Sequence, residues 1–152
     1  MILTFVCFKV NLSFAAMDTW RVDSCATIHI SVTMQGCLWS RPPSDAERFI
    51  YVADGNKVAV EAIGTFRLCF KTGLFLDLFE TFYVPSFRRN LVFVSRLDKS
   101  GYHCSFGNNK VSLFRNSNII CFGFLIDNLY KLDLNFYNEI LQTSSRGTKQ
   151  KH

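Results

Sequence analysis

The chain has 152 residues, of which 49% are hydrophobic and 19% charged, and its formal net charge is +5. This length supports one domain with a modest core, and the apolar content excludes a chain that is disordered throughout. The cationic excess is scattered, apart from a polar carboxyl-terminal stretch and the pair Arg88-Arg89, which we interpret as a solvated loop. No direct nucleic-acid site is therefore predicted.

The first 17 residues form an apolar leader that we predict to be poorly ordered and to lie outside the domain. Lys9 and Asn11 interrupt the hydrophobic run, and no basic segment precedes it, so the pattern disfavours a signal peptide. The run is also too short to cross a bilayer. We therefore expect neither secretion nor a membrane partner.

The elements that follow begin with short strands at Trp20–Asp23 and 28–33, on either side of a D-S-C-A-T turn. Two prolines indicate a loop at 41–45. A strand at 49–53 then reverses at Asp54-Gly55, a strong turn dipeptide. Residues 58–70 alternate with period 2, which predicts a long strand with a bend near Gly64 and with Thr65 on its polar face.

The second half of the chain continues as strands with one interruption. Residues 74–84 return as a β-rich segment that ends at Pro85. Leu91, Val94 and Leu97 share a helical face and predict one short helix near 91–98. A three-strand meander follows over 102–124, and 129–134 is a candidate for one more strand. This strand spacing predicts an all-β fold, a closed or partly open antiparallel β-barrel.

The prediction about the cellular compartment rests on the cysteines. No two of them form a C-x-x-C pair, and the chain has only three histidines, so neither a metal site nor a cofactor is predicted. We interpret them as free thiols in a reducing, cytoplasmic location. A weaker alternative is a secreted β protein with paired cysteines and a glycosylated Asn11, which six reactive thiols after unfolding would exclude. The six are Cys7, Cys25, Cys37, Cys69, Cys104 and Cys121.

The D-S-C-A-T segment is the motif with chemical content. A strand that runs into Asp-Ser-x-Ala-Thr is how an aspartic protease presents its carboxylate, and hydrolysis needs two such carboxylates sharing a proton. The chain has one copy, so only a symmetric homodimer could pair Asp23 with a second aspartate. Taken alone the motif is weak, because an ordinary strand-to-turn aspartate would satisfy the same pattern.

Five sequence blocks in order give the motif a wider context. They are W-R-V-D-S-C-A-T-I-H-I, V-A-D-G-N-K-V-A-V-E-A-I-G-T-F, F-Y-V-P-S-F-R-R-N-L-V-F-V-S-R-L, S-G-Y-H-C-S-F and D-N-L-Y-K-L-D-L. Together, residues 20–134 resemble the protease region of copia-type retrotransposon Gag-Pol polyproteins, as found in plant genomes. The resemblance implies a retropepsin-like barrel that forms a homodimer and cleaves peptide segments of its own polyprotein.

The resemblance also assigns roles and boundaries. It implies catalytic positions at Asp23, Ser24 and Thr27, and a loose match to a substrate-covering flap at Ala53, Asp54, Gly55 and Asn56. The barrel domain would occupy residues 18–126. Residues 127–152 would begin a linker toward a pre-integrase region and end in a disordered basic tail.

One residue departs from the family pattern at the position where the motif backbone has the least space around it. Cys25 occupies the position of the motif glycine, where the backbone passes too close to its partner for a side chain. We therefore predict a degenerate aspartic endopeptidase whose activity is weak or absent. The alternative is a non-enzymatic β-barrel that serves as an interaction or dimerisation module.

Overall fold

A computed structural model describes residues 5–6, 19–23 and 27–134. Apart from the backbone of the first strand, the predicted leader lies outside these residues, and so do Ser24, Cys25 and the predicted basic tail. The strands are β1 (Phe5–Val6), β2 (Trp20–Asp23), β3 (Ile30–Ser31), β4 (Cys37–Arg41), β5 (Phe49–Val52), β6 (Lys57–Ala59), β7 (Ala62–Cys69), β8 (Phe75–Tyr83), β9 (Asn90–Phe93), β10 (Tyr102–Gly107), β11 (Lys110–Arg115), β12 (Asn118–Ile126) and β13 (Leu129–Leu132). A 3-10 turn spans Asp45–Glu47, and helix α1 spans Val94–Lys99.

The strands form one large sheet and one small sheet. The large sheet has the order β10-β11-β12-β13-β2-β9-β3-β8-β7-β4, and the small sheet has the order β1-β5-β6. In the small sheet, β1 pairs with β5 in parallel and β5 pairs with β6 antiparallel. Most neighbours in the large sheet are antiparallel, but β2 pairs with β9 and β3 pairs with β8 in parallel. Those parallel partners are far apart in sequence, so the centre of the sheet joins the two halves of the domain.

The large sheet curls back toward itself without closing. Beyond the end of β7, Phe70 forms an isolated bridge with Leu134. Beside it, the Lys71 ammonium lies 2.8 Å from the Asp133 carboxylate, and the Thr72 hydroxyl donates to the Ile120 carbonyl at 2.6 Å. The predicted all-β fold with one short helix is therefore confirmed, with the barrel partly open.

Helix α1 begins later than predicted because the residues of its predicted first turn form strand β9. Residues Asn90–Phe93 pair with β2 and are buried along their whole length, so the chain turns helical only at Val94. Burial on both faces of β9 overrides the local helical spacing. Val92 faces one core cluster, with Trp20, Val22 and Phe70, whereas Leu91 and Phe93 belong to a second cluster with Ile30 and Ile50.

The predicted bend near Gly64 corresponds to two breaks in the strand. The chain leaves the ladder at Val60 and Glu61, and a β-bulge follows between Gly64 and Phe66. The bulge shifts the alternation, so Thr65, predicted on the polar face, is buried at 3% exposure. Strand β4, which no sequence signal predicted, pairs with β7 at this point.

We expect Gly64→Ala to destabilise the domain by about 1–3 kcal/mol, the usual cost of overpacking. A methyl group at Gly64 would overlap the Trp39 carbonyl oxygen and come within 2.9 Å of the Ser40 Cα, so β4 would have to move. Gly107→Ala is the matched control, because nothing lies within 4 Å of its added methyl group. Urea denaturation measures both variants, and equal losses would contradict the close approach of β4.

Candidate active site

Asp23 lies at the carboxyl end of a central strand of the large sheet. Strand β2 runs between β13 and β9, and Asp23 is in register with Phe93 of the parallel strand β9. The Asp23 residue is 4% exposed. Strand β2 therefore ends at Asp23, the first residue of the D-S-C-A-T segment, as predicted. Its role as a catalytic residue stays a prediction, and so do the roles of Ser24 and Cys25.

A buried amide connects the two strands that flank this segment. The Asn90 Nδ2 donates to the Thr19 carbonyl at 2.9 Å, and its Oδ1 accepts from the Val32 backbone N–H at 2.8 Å. Asn90 is 1% exposed, so these bonds form in a low-dielectric interior. The side chain of Asn90 thus fixes the chain just before β2 to the chain just after β3.

His29, two residues beyond the D-S-C-A-T segment, contacts strand β9. Its Nδ1 accepts a hydrogen bond from the Phe93 backbone N–H at 3.0 Å, and its ring stacks on the Phe93 ring at a centroid distance of 5.9 Å. Burial, together with the nearby Arg96 charge, lowers the pKa of His29 to about 3. The imidazole is therefore neutral at physiological pH and acts as a packed structural acceptor.

Thr27, the last residue of the D-S-C-A-T segment, contacts helix α1 through its backbone. The Arg96 Nε of α1 donates to the Thr27 carbonyl at 3.2 Å, and Thr27 itself is exposed. The helix thereby contacts the end of the D-S-C-A-T segment directly. The catalytic role of Thr27 stays a prediction.

The predicted turn at Asp54-Gly55 is present as the tip of the β5–β6 hairpin. Gly55 has φ +86°, which glycine adopts without strain. The Asp54 carboxylate accepts from both the backbone N–H and the side-chain amide of Asn56, each at 2.9 Å. The tip residues Ala53, Asp54, Gly55 and Asn56 are all exposed, and their role as a flap stays a prediction.

A groove of about 550 Å³ lies between this hairpin and the segment that leads into β9. Val58 and Phe87 line it and also pack against the second core cluster, which contains Phe93, the sheet neighbour of Asp23. The groove and the strand pair that carries Asp23 thus border the same core cluster. The full lining is Val52, Ala53, Asp54, Val58, Ser86, Phe87 and Arg88.

Comparison with protein families identifies the region that carries these features. Residues 20–102, more than half of the chain, match the family model of the Pol polyprotein, beta-barrel domain. The chain belongs to this family. The predicted origin in a retroelement Pol polyprotein is therefore confirmed. Comparisons with curated proteins and with solved structures give no match.

The Pol β-barrel domain also buries two arginines that the sequence pattern did not identify. Arg89, interpreted above as part of a solvated loop, is 3% exposed, and that interpretation is wrong for it. Arg21 is 6% exposed and donates from Nη1 to the Ile126 carbonyl at 2.8 Å. Burial and the neighbouring Arg89 charge lower the pKa of Arg21. Arg21 precedes Asp23 by two positions on the same strand, so a cation lies on the same sheet face as the motif carboxylate.

The cysteines of the Pol β-barrel domain are unpaired wherever the structure describes them. Cys37, Cys69, Cys104 and Cys121 are free, whereas Cys7 and Cys25 lie outside the described residues. Burial raises the pKa of Cys104 to about 11 and that of Cys121 to about 12, so both are neutral thiols at physiological pH.

The described residues contain neither a candidate metal cluster nor a candidate membrane-spanning helix. No group of three or more His, Cys, Asp or Glu side chains there could hold a metal ion. Within the same ranges, no helix has the length and apolar character needed to cross a membrane.

Proposed function

We propose that this Pol β-barrel domain is a degenerate aspartic-protease-like domain of a copia-type retrotransposon polyprotein from a plant, derived from a domain for polyprotein self-cleavage. The observation that carries the proposal is the position of Asp23. It ends a central strand, it opens the D-S-C-A-T segment, and its strand partner Phe93 belongs to the core cluster that the groove borders.

The chemistry requires two copies of the chain. In a symmetric homodimer, Asp23 and its counterpart would stand about 3 Å apart and share one proton, because two adjacent carboxylates do not both ionise. The ionised carboxylate takes a proton from water, whose oxygen attacks the peptide carbonyl, while the protonated carboxyl donates to the carbonyl oxygen. Ser24 would hydrogen-bond beneath the pair. The homodimer is thus part of the proposal.

The groove supplies the proposed peptide site. Val52, Val58 and Phe87 offer apolar contacts, and Asp54 and Arg88 place one charge of each sign at the lining. A segment of polyprotein would lie there under the β5–β6 hairpin, which acts as the flap. The substrate side chain next to the cleaved bond would be apolar.

Cys25 is the reason for proposing weak or absent activity. In the dimer it would occur twice beside the two-fold axis, where the motif requires a residue without a side chain. Overpacking at one site costs about 1–3 kcal/mol, and the positioning of the two carboxylates is lost with it. The enzyme class is an aspartic endopeptidase by descent, with turnover lost or strongly reduced.

The direct test is a cleavage assay with peptides that span the junctions of a copia-type polyprotein. We expect no measurable turnover from the purified wild-type chain at any pH between 4 and 7 at which it is folded. Turnover that disappears in Asp23→Ala would contradict the proposed degeneracy and would establish an active protease. Turnover that persists in Asp23→Ala would indicate a contaminating enzyme.

A second candidate function is favoured by the burial of Asp23, which is 4% exposed within a single chain. Under this alternative the domain is a non-enzymatic module for dimerisation or interaction. It predicts a homodimer whose mass and stability are unaffected by Asp23→Asn, as measured by sedimentation and urea denaturation. In either case we propose a reducing, cytoplasmic location, in keeping with the free thiols.

A further inference from the structure

A second cavity lies on the helix side of the domain, away from the hairpin groove. It encloses about 210 Å³ and has mixed polar and aromatic walls. We call it the α1 cavity, because α1 and the residues directly after it form one of its walls. Its lining is His29, Asp77, Phe79, Arg96, Leu97, Lys99, Ser100 and Tyr102.

His29 contributes a buried donor to this cavity. It is 3% exposed, and its Nδ1 already accepts from the Phe93 N–H, so the neutral ring carries its proton on Nε2. No acceptor for Nε2 lies within hydrogen-bond distance among the residues that the structure describes. Because His29 lines the cavity, its Nε2–H can donate to an acceptor bound there.

Two cations stand on the same wall. Arg96 uses its Nε on the Thr27 carbonyl, and neither of its Nη groups has a partner within 19–23 or 27–134. Lys99 is exposed at the cavity rim and forms no ion pair within those ranges. The guanidinium and the ammonium therefore both face the cavity without a bound carboxylate.

The other polar side chains that line the cavity already form ion pairs or hydrogen bonds with protein groups. Both Asp77 carboxylate oxygens accept from Arg67, at 2.8 and 3.0 Å, so that negative charge is neutralised. The Ser100 hydroxyl donates to the Arg96 carbonyl at 3.1 Å, and the Tyr102 hydroxyl accepts from Arg115 at 3.2 Å. The cavity thus carries net positive charge from Arg96 and Lys99, together with the His29 donor.

We propose that the α1 cavity binds a phosphate group, held by the His29 Nε2–H, the Arg96 guanidinium and the Lys99 ammonium. Charge-assisted bonds from a planar guanidinium suit the oxygens of a phosphate. Phe79 lines the same cavity and is 58% exposed, so a base attached to the phosphate could stack on its ring. The phosphate can therefore come from free inorganic phosphate or from a nucleotide. This proposal is independent of proteolysis.

The test measures the stability of the full chain at pH 7 with sodium phosphate and with sodium chloride at equal ionic strength. We expect about 20 mM phosphate to raise the equilibrium constant for folding about tenfold, which corresponds to a Kd of about 2 mM. Lys99→Gln and Arg96→Gln should each remove most of this increase, whereas Lys57→Gln, on β6, should retain it. Lys99→Gln leaves the Arg96–Thr27 contact in place and so separates binding from folding.

A parallel titration with uridine monophosphate distinguishes the two sources. Binding at least ten times tighter than that of phosphate, with the gain lost in Phe79→Ala, assigns the group to a nucleotide. Equal binding of the two assigns the site to free phosphate. The proposal is overturned if phosphate stabilises the chain no more than chloride does, or if Arg96→Gln and Lys99→Gln respond to phosphate as the wild type does.

Discussion

Lowering the pH from 7 to 5 should reduce the free energy of unfolding by about 2 kcal/mol through His29 alone. The folded-state pKa of His29 is about 3, because the ring is buried and lies near Arg96, whereas an unfolded histidine titrates near 6.5. Between those two values the unfolded chain binds a proton that the folded chain does not. The stabilising contribution is therefore complete above pH 6.5 and is lost as the pH falls toward 3.

Urea denaturation at pH 7, 6 and 5 measures this slope in a window where most carboxylates stay ionised. His29→Gln should flatten it, since an amide oxygen can still accept from the Phe93 N–H but does not titrate. His103→Gln, at an exposed position of β10, should leave the slope unchanged. A slope that survives in His29→Gln would contradict the buried neutral imidazole.

Replacing Asn90 by leucine should destabilise the domain by about 2–5 kcal/mol. Leucine has a similar volume but removes both bonds of the amide. The Val32 N–H would then be left buried without an acceptor, and the Thr19 carbonyl would lose its donor. Because these two residues flank the D-S-C-A-T segment, we also expect faster amide exchange between residues 19 and 32.

Asn118→Leu is the matched control for that substitution. Asn118 begins β12 at an exposed position, so its replacement should change the free energy of unfolding by less than about 0.5 kcal/mol. If Asn90→Leu is tolerated as well as Asn118→Leu, the bridge between β2 and β3 does not contribute to stability.

The parts of the fold that the sequence predicted are those with local causes. The β5–β6 hairpin follows from the Asp54-Gly55 dipeptide, and the meander over 102–124 follows from its turns. Strand β4 escaped prediction because its exposed Leu38 and Trp39 do not alternate with polar residues, and only the close approach at Gly64 reveals its partner. The first turn of the predicted helix was lost to pairing with β2, which is a tertiary effect.

The features of the candidate site likewise divide into those with local causes and those that depend on distant residues. The motif placed Asp23 at the end of a strand, since that information is carried by adjacent residues. Its supports are not local: Asn90 contacts Val32 and Thr19 across 58 and 71 residues, and Phe93 contacts His29 across 64. Burial of Arg89 likewise depends on the packing of the whole sheet. Neither kind of contact leaves a periodic pattern in one sequence.

We propose that this domain descends from a dimeric aspartic protease and that Cys25 is what silences it. The most direct measurement is peptide cleavage by Cys25→Gly, beside the double variant Cys25→Gly, Asp23→Asn at equal concentration and with the dimer confirmed by sedimentation. We expect turnover in the single variant and none in the double variant. A dimeric Cys25→Gly protein that cleaves nothing, or a double variant that cleaves equally well, would contradict it.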